Sequence, residues 1–263
     1  MYRPPMAELS VQVQNKLNVA DKVIASARTH GPKVATILAE RALAVQGPTT
    51  KVTVESVTEV IGAIADGVAH ANTELRNSEL NYFAEKADDT PVRIAREGSV
   101  TSVANILAQL RTNIDGTFGP AATAQYGLVG EIPRTPHKLV TYTNNVVKQL
   151  QDNPRQVTTA FGASFDTVPA AAAVQAKLAE LMGIIKDDNR EARELEEAQT
   201  ARNRAVDAWA NAYQGAASFL EGLFRTAGYA ELADRVRPTQ RKVRGEDPGT
   251  EIESPQTGNA EGS

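Results

Sequence analysis

Apolar residues recur along this chain at the three-and-four spacing of an α-helix, almost from end to end. Leu9, Val13, Leu17 and Ile24 mark a first helix over about 7–29. Val34, Ile37, Leu38 and Leu43 mark a second to about residue 46, after a break predicted at His30, Gly31 and Pro32. A third runs over about 53–87. Asp88, Asp89, Thr90 and Pro91 then read as a cap followed by proline, predicting a separate helix over about 91–117. Residues 119–135 read as loop, with one short helix near 121–127. The series resumes at Thr135 or Pro136 and runs to about Gln151, with a short helix restarting at Asn153 and Pro154. Residues 162–169 read as a polar connection. No proline occurs from Ala170 to Arg237, so 170–228 is either one very long helix or a pair joined by a tight turn. A last short helix is predicted over about 229–236.

Within this pattern one polar motif occurs twice. Residues 72–79 and 189–196 both have Asn, Glu, Arg and Glu at positions one, three, five and eight, 117 residues apart. The same offset aligns Val57, Ile61, Ile64 and Val68 with Val174, Leu178, Leu181 and Ile185. Further on it becomes 106, aligning Val103, Leu107, Ile114 and Phe118 with Trp209, Tyr213, Leu220 and Phe224. The eleven residues lost between the two offsets amount to about three turns, so the apolar face keeps its phase. These matches predict an all-α fold: an elongated helical bundle built from two divergent copies of one helical unit. The expected organisation is a 1–6 extension, repeat 1 over 7–130, repeat 2 over 131–238, and a basic then acidic disordered tail over 239–263.

At about 100° per residue, Asn72 and Glu79 fall within about 60° of Val57, inside the apolar stripe, and Arg76 lies at its edge. By register, Asn189 and Glu196 should also point inward, flanked by Arg193. Asn72, Arg76, Glu79, Asn189, Arg193 and Glu196 are therefore the candidate site residues. Either they form polar layers that fix helix alignment, or they line a site for a small ligand or ion. A buried carboxylate needs a donor in either case. The second motif lies in a segment, 186–204, where eleven of nineteen residues are charged, which fits a solvated helix held by pairs such as Arg190–Glu194 and Arg193–Glu197.

Composition narrows the function classes. Apolar residues make up 41% and aromatics only 5%, which suits closely packed helices. A net charge of −4 gives no reason to expect nucleic acid, and the basic run Arg235, Arg237, Arg241, Lys242 and Arg244 lacks an aromatic platform. With no cysteine there is no disulfide or thiolate metal site. The start lacks an apolar run of signal-peptide length, and no uncharged apolar stretch reaches about 20 residues, so no stable membrane span is expected and a cytoplasmic location is. His30, His70 and His137 stand apart; His70 and Glu74 are spaced i,i+4, but on the solvent side of the wheel. No nucleophile motif, phosphate loop or zinc pattern is present, so no enzyme activity, cofactor or metal is expected. The expected function is a non-enzymatic structural or protein-interaction module that meets a protein partner or copies of itself. The alternatives are a small-ligand or ion-binding bundle and a membrane-active helical protein.

Overall fold

The structure is a computed structural model that describes residues 8–158 and 164–246. It is all-α. Among the described residues the order is α1 (Val11–Gln46), a 3-10 turn (Gly47–Thr49), α2 (Val54–Phe118), α3 (Pro120–Gln125), α4 (Pro136–Asp152), β1 (Gln156–Thr158), β2 (Ser164–Asp166), α5 (Thr167–Thr226), α6 (Ala230–Val236) and α7 (Gln240–Arg244).

Two predicted helix breaks are absent: Pro32 lies inside α1 and Pro91 lies inside α2. Of the two alternatives for 170–228 the single helix is found, running to Thr226. An interior proline costs about 3 kcal/mol or more in helix stability, so packing must outweigh it. At Pro32 the packing is visible: Ala27, Gly31, Val34 and Ala35 are all buried on one face of α1. Gly31 approaches α2 so closely that a Cβ there would lie 2.9 Å from Ile61 Cγ2. Pro91 is exposed, and α2 is anchored before it by buried Leu75 and Glu79 and after it by buried Ser99 and Val100. The helix predicted at Asn153–Pro154 is also absent. In its place β1 pairs antiparallel with β2, Val157 opposite Phe165, and Phe165 stacks edge-on against Phe118 at 5.9 Å.

The chain divides into two compact units that cut across the predicted sequence halves. Unit 1 joins 1–84 to 198–263, and unit 2 is the continuous span 85–197. Unit 1 packs α1, the first part of α2, the last part of α5, α6 and α7 around Leu17, Val23, Val68, Leu75, Trp209, Tyr213, Leu220 and Phe224. Unit 2 packs the rest of α2, α3, α4 and the first part of α5 around Val103, Leu107, Ile114, Tyr126, Leu139, Leu150 and Leu181.

The predicted disorder over 239–263 fails for its first residues, and 247–263 lie outside the described residues. Thr239 caps α7 by accepting from the Lys242 amide, and the far end of α7 is clasped to α1. Gln12 Nε2 donates to Arg244 O at 2.8 Å, Asn15 Nδ2 to Gly245 O at 3.0 Å, and Lys16 Nζ to Val243 O. These are the carbonyls a helix end leaves without internal partners. Gly245 sits at φ +73°, where a Cβ is strained, and that Cβ would collide with the Gln12 carbonyl oxygen. Gly245→Ala should therefore release the clasp. The expected cost is about 1–3 kcal/mol in chemical denaturation, with faster hydrogen exchange confined to 239–246 and the start of α1. An unchanged exchange pattern would show that the clasp adds nothing.

Candidate functional site

The six candidate residues do not form two matching inward layers. Glu79 is 0% exposed, whereas Asn72 is half-buried and Arg76 is exposed. In the second set Asn189, Arg193 and Glu196 are all exposed, so the expected inward layer is not made there. The helix packed alongside differs between the units. In unit 1, α1 begins at Val11, and its first turn lies over Glu79, which accepts from the Ser10 amide at 3.4 Å. In unit 2, α4 begins only at Pro136 and has 17 residues against 36 in α1. His137, in its first turn, lines a cleft with Asn189 and Arg193, while Glu196 is exposed.

Around Glu79 unit 1 builds a connected polar network. Arg202 on α5 donates through Nε to Glu79 Oε2, and its guanidinium lies 5.6 Å from the Tyr82 ring centre. Burial alone would raise the Glu79 pKa. The hydrogen bonds from Arg202 and Ser10, with the guanidinium charge, outweigh that and hold the carboxyl below its ordinary 4.5. Beside it, Lys16 is buried with its ammonium 5.0 Å from the Trp209 ring centre; burial, and then the charge of Arg202, lowers its pKa from 10.5. Trp209 stacks on Tyr213 at 5.0 Å and donates Nε1–H to Asn72 Oδ1 at 2.8 Å. Asn72 Nδ2 in turn donates to Asp21 Oδ1 at 2.8 Å.

Sequence reasoning missed Arg202, Lys16 and Ser10. Arg202 had a signal, since it stands 106 residues after Arg96, the same offset that aligns the apolar positions. In unit 2, Arg96 on α2 pairs with Asp188 on α5 at 2.7 Å. Each unit thus carries one guanidinium at that position, crossing to an acid on the other long helix. Lys16 and Ser10 gave no such signal, because both depend on α1 returning against residues far along the chain.

No family model, curated protein or solved structure matches this chain.

At the edge of the network, the motif residues Asn72 and Arg76 line an open cleft of about 300 Å³ in unit 1, with Asp21, Ile24 and Arg28 facing them from α1. Asn189 and Arg193 line a cleft of about 330 Å³ in unit 2, with His137 and Val140 facing them from α4. One carboxylate cluster has the compactness a metal ion needs: Glu85, Glu191 and Glu194 place an oxygen each within 4.8 Å of one another. Arg190 already meets two of them, at 2.9 Å from Glu191 and 3.8 Å from Glu194, so the cluster has a cation supplied from its own helix. The pair predicted between Arg190 and Glu194 is therefore present, while Arg193 turns to the Asn189 carbonyl at 3.0 Å.

By length and composition α5 also contains an 18-residue window apolar enough to cross a bilayer, at mean hydropathy 1.4 and 22% buried. Lys177 and Glu180 interrupt the apolar part of α5, so it is not an uncharged stretch of about 20 residues.

Proposed function

We propose that the chain is a non-enzymatic helical module that acts by binding partners, foremost copies of itself. One observation carries this reading: an apolar patch at the connection between α1 and α2 that unit 1 does not cover. Val45 is 86% exposed, Leu43 52%, Val60 50% and Val52 36%. Large apolar side chains left in water around one connection offer an interaction surface, and a surface that meets its own copy closes most simply as a two-fold pair. The shifted groups fit the same reading, since Glu79 and Lys16 find their partners inside unit 1, as groups that hold a fold do.

Light scattering after size exclusion tests it. The mass should rise above the 28.1 kDa of one chain as concentration increases. Leu43→Glu with Val45→Glu should return the protein to a single chain while leaving its far-UV spectrum intact. A wild-type protein that stays at one chain through high micromolar concentration would remove self-association.

We also infer that the two units descend from one helical unit. Trp209, Tyr213 and Leu220 are buried in unit 1 where Val103, Leu107 and Ile114 are buried in unit 2. The Arg202 and Arg96 ion pairs, and the two Asn–Arg clefts, support the same reading. A second functional reading, a small-ligand site, is favoured by those clefts and not by the inward layers first expected.

A further inference from the structure

The two clefts share a place in the motif but not a chemistry. In unit 1 the cleft holds its own anion. Asp21 lies in it and accepts from Asn72, and Arg28 is drawn to Asp66 at 2.9 Å. In unit 2 no carboxylate lines the cleft. Val140, Met182 and Ile185 supply an apolar floor, and His137, Lys186, Asn189 and Arg193 supply its polar rim. Met182 is 51% exposed, so the floor of the cleft is open to a ligand. Among the described residues neither Lys186 nor Arg193 forms an ion pair with a carboxylate.

The order of these residues gives the cleft a direction. Met182, Ile185, Lys186, Asn189 and Arg193 follow at helical spacing along one side of α5, apolar at one end and cationic at the other. Over eleven residues that side extends about 16 Å, at about 1.5 Å per residue. His137 stands in the first turn of α4, where the helix dipole adds further positive potential. A volume near 330 Å³ is at the small end of the range for clefts that take small organic molecules.

We propose that this cleft binds a single-chain amphiphile with an anionic head, of the fatty-carboxylate kind. The chain lies on Val140, Met182 and Ile185, and the carboxylate meets Lys186 and Arg193. Burial of the chain supplies the affinity and the two cations supply the preference for charge. The unit 1 cleft, already occupied by Asp21, does not bind the same molecule and serves as an internal control.

Isothermal titration of the full chain with dodecanoate, below its micelle concentration, tests the proposal. Saturable binding of one equivalent is expected. Lys186→Glu with Arg193→Glu should weaken it at least about tenfold, or about 1.4 kcal/mol, and Arg76→Glu should leave it unchanged. All three residues are exposed, so circular dichroism should show each variant folded as the wild type. Met182→Asp, which removes floor and adds repulsion, should weaken binding through a separate contact. Dodecyltrimethylammonium and dodecanol should bind at least about tenfold more weakly. Several results would each overturn the proposal: no saturable heat, equal binding of the cationic analogue, equal loss in Arg76→Glu, or binding only to anionic phospholipid vesicles. The outcome is independent of the self-association reading, because the patch at Leu43 and Val45 lies in unit 1 and its variants leave the unit 2 cleft untouched.

Discussion

Glu79→Ala should destabilise the protein by about 3–5 kcal/mol, the usual cost of removing one partner from a buried ion pair. The wild-type carboxylate is fully enclosed and answers two donors, the Arg202 guanidinium and the Ser10 amide. Alanine leaves that guanidinium largely buried with no anion, and leaves the first turn of α1 without an acid at its positive end. Glu79→Gln keeps the shape and should cost less, about 1–3 kcal/mol, because a neutral amide still accepts from one donor. Exchanging both partners, as in Glu79→Leu with Arg202→Met, should recover most of the loss, since no isolated charge remains. Urea denaturation followed by circular dichroism reads all three. If Glu79→Ala changes the midpoint no more than a surface substitution does, the pair is not what closes unit 1. The same group sets an acid limit. Its folded pKa lies below 4.5, so its stabilisation is complete above that ordinary value and is lost as pH falls through the folded pKa. The wild-type melting temperature should therefore drop on acidification below about pH 4.5, more steeply than that of Glu79→Gln.

Trp209→Ala should cost a comparable amount, about 3–5 kcal/mol, for a different reason. The indole is fully buried, stacked on Tyr213 and covered by the Lys16 side chain, so alanine opens a cavity among α1, α2 and α5 within unit 1. It also leaves Asn72 Oδ1 without its donor. Trp209→Phe separates the two effects: the ring is mostly kept, the N–H is lost, and a cost of about 1–2 kcal/mol is expected. The chain has one tryptophan, so wild-type fluorescence reports this site directly while the variants need circular dichroism. A loss for Trp209→Ala no larger than that for Trp209→Phe would mean the surroundings collapse into the space.

Particular elements show what the sequence could and could not disclose. The apolar stripe of α2 and the aligned stripe of α5 were legible because each face is filled by residues at regular helical intervals. Their buried members, Ile61, Val68, Leu178 and Leu181 among them, lie where the pattern puts them. The prolines misled because a helix-breaking propensity is local, whereas the close approach of Gly31 to Ile61 that offsets it at Pro32 involves residues thirty positions apart. Glu79 was correctly assigned to the apolar face of its own helix. That a helix wheel treats Glu196 identically is its limitation: the wheel records phase and cannot record whether a third helix is long enough to cover the position. The Glu79 position of the motif is sealed under the start of α1, whereas the Glu196 position faces water. The clefts were legible only in part. Asn72, Arg76, Asn189 and Arg193 stand out in the sequence, but the residues facing them across the two clefts, Asp21 and Arg28 in one and His137 and Val140 in the other, sit on helices the motif does not mention.

The division of the chain has a consequence for its synthesis. Unit 2 is one uninterrupted span, whereas unit 1 needs residues from both ends of the chain. A ribosome therefore releases everything unit 2 requires while the early residues of unit 1 still wait for Arg202, Trp209 and finally Gly245. Until those emerge, Glu79 and Lys16 must remain hydrated on the nascent chain, so burial of that acid and that amine can come only as one of the last events of maturation.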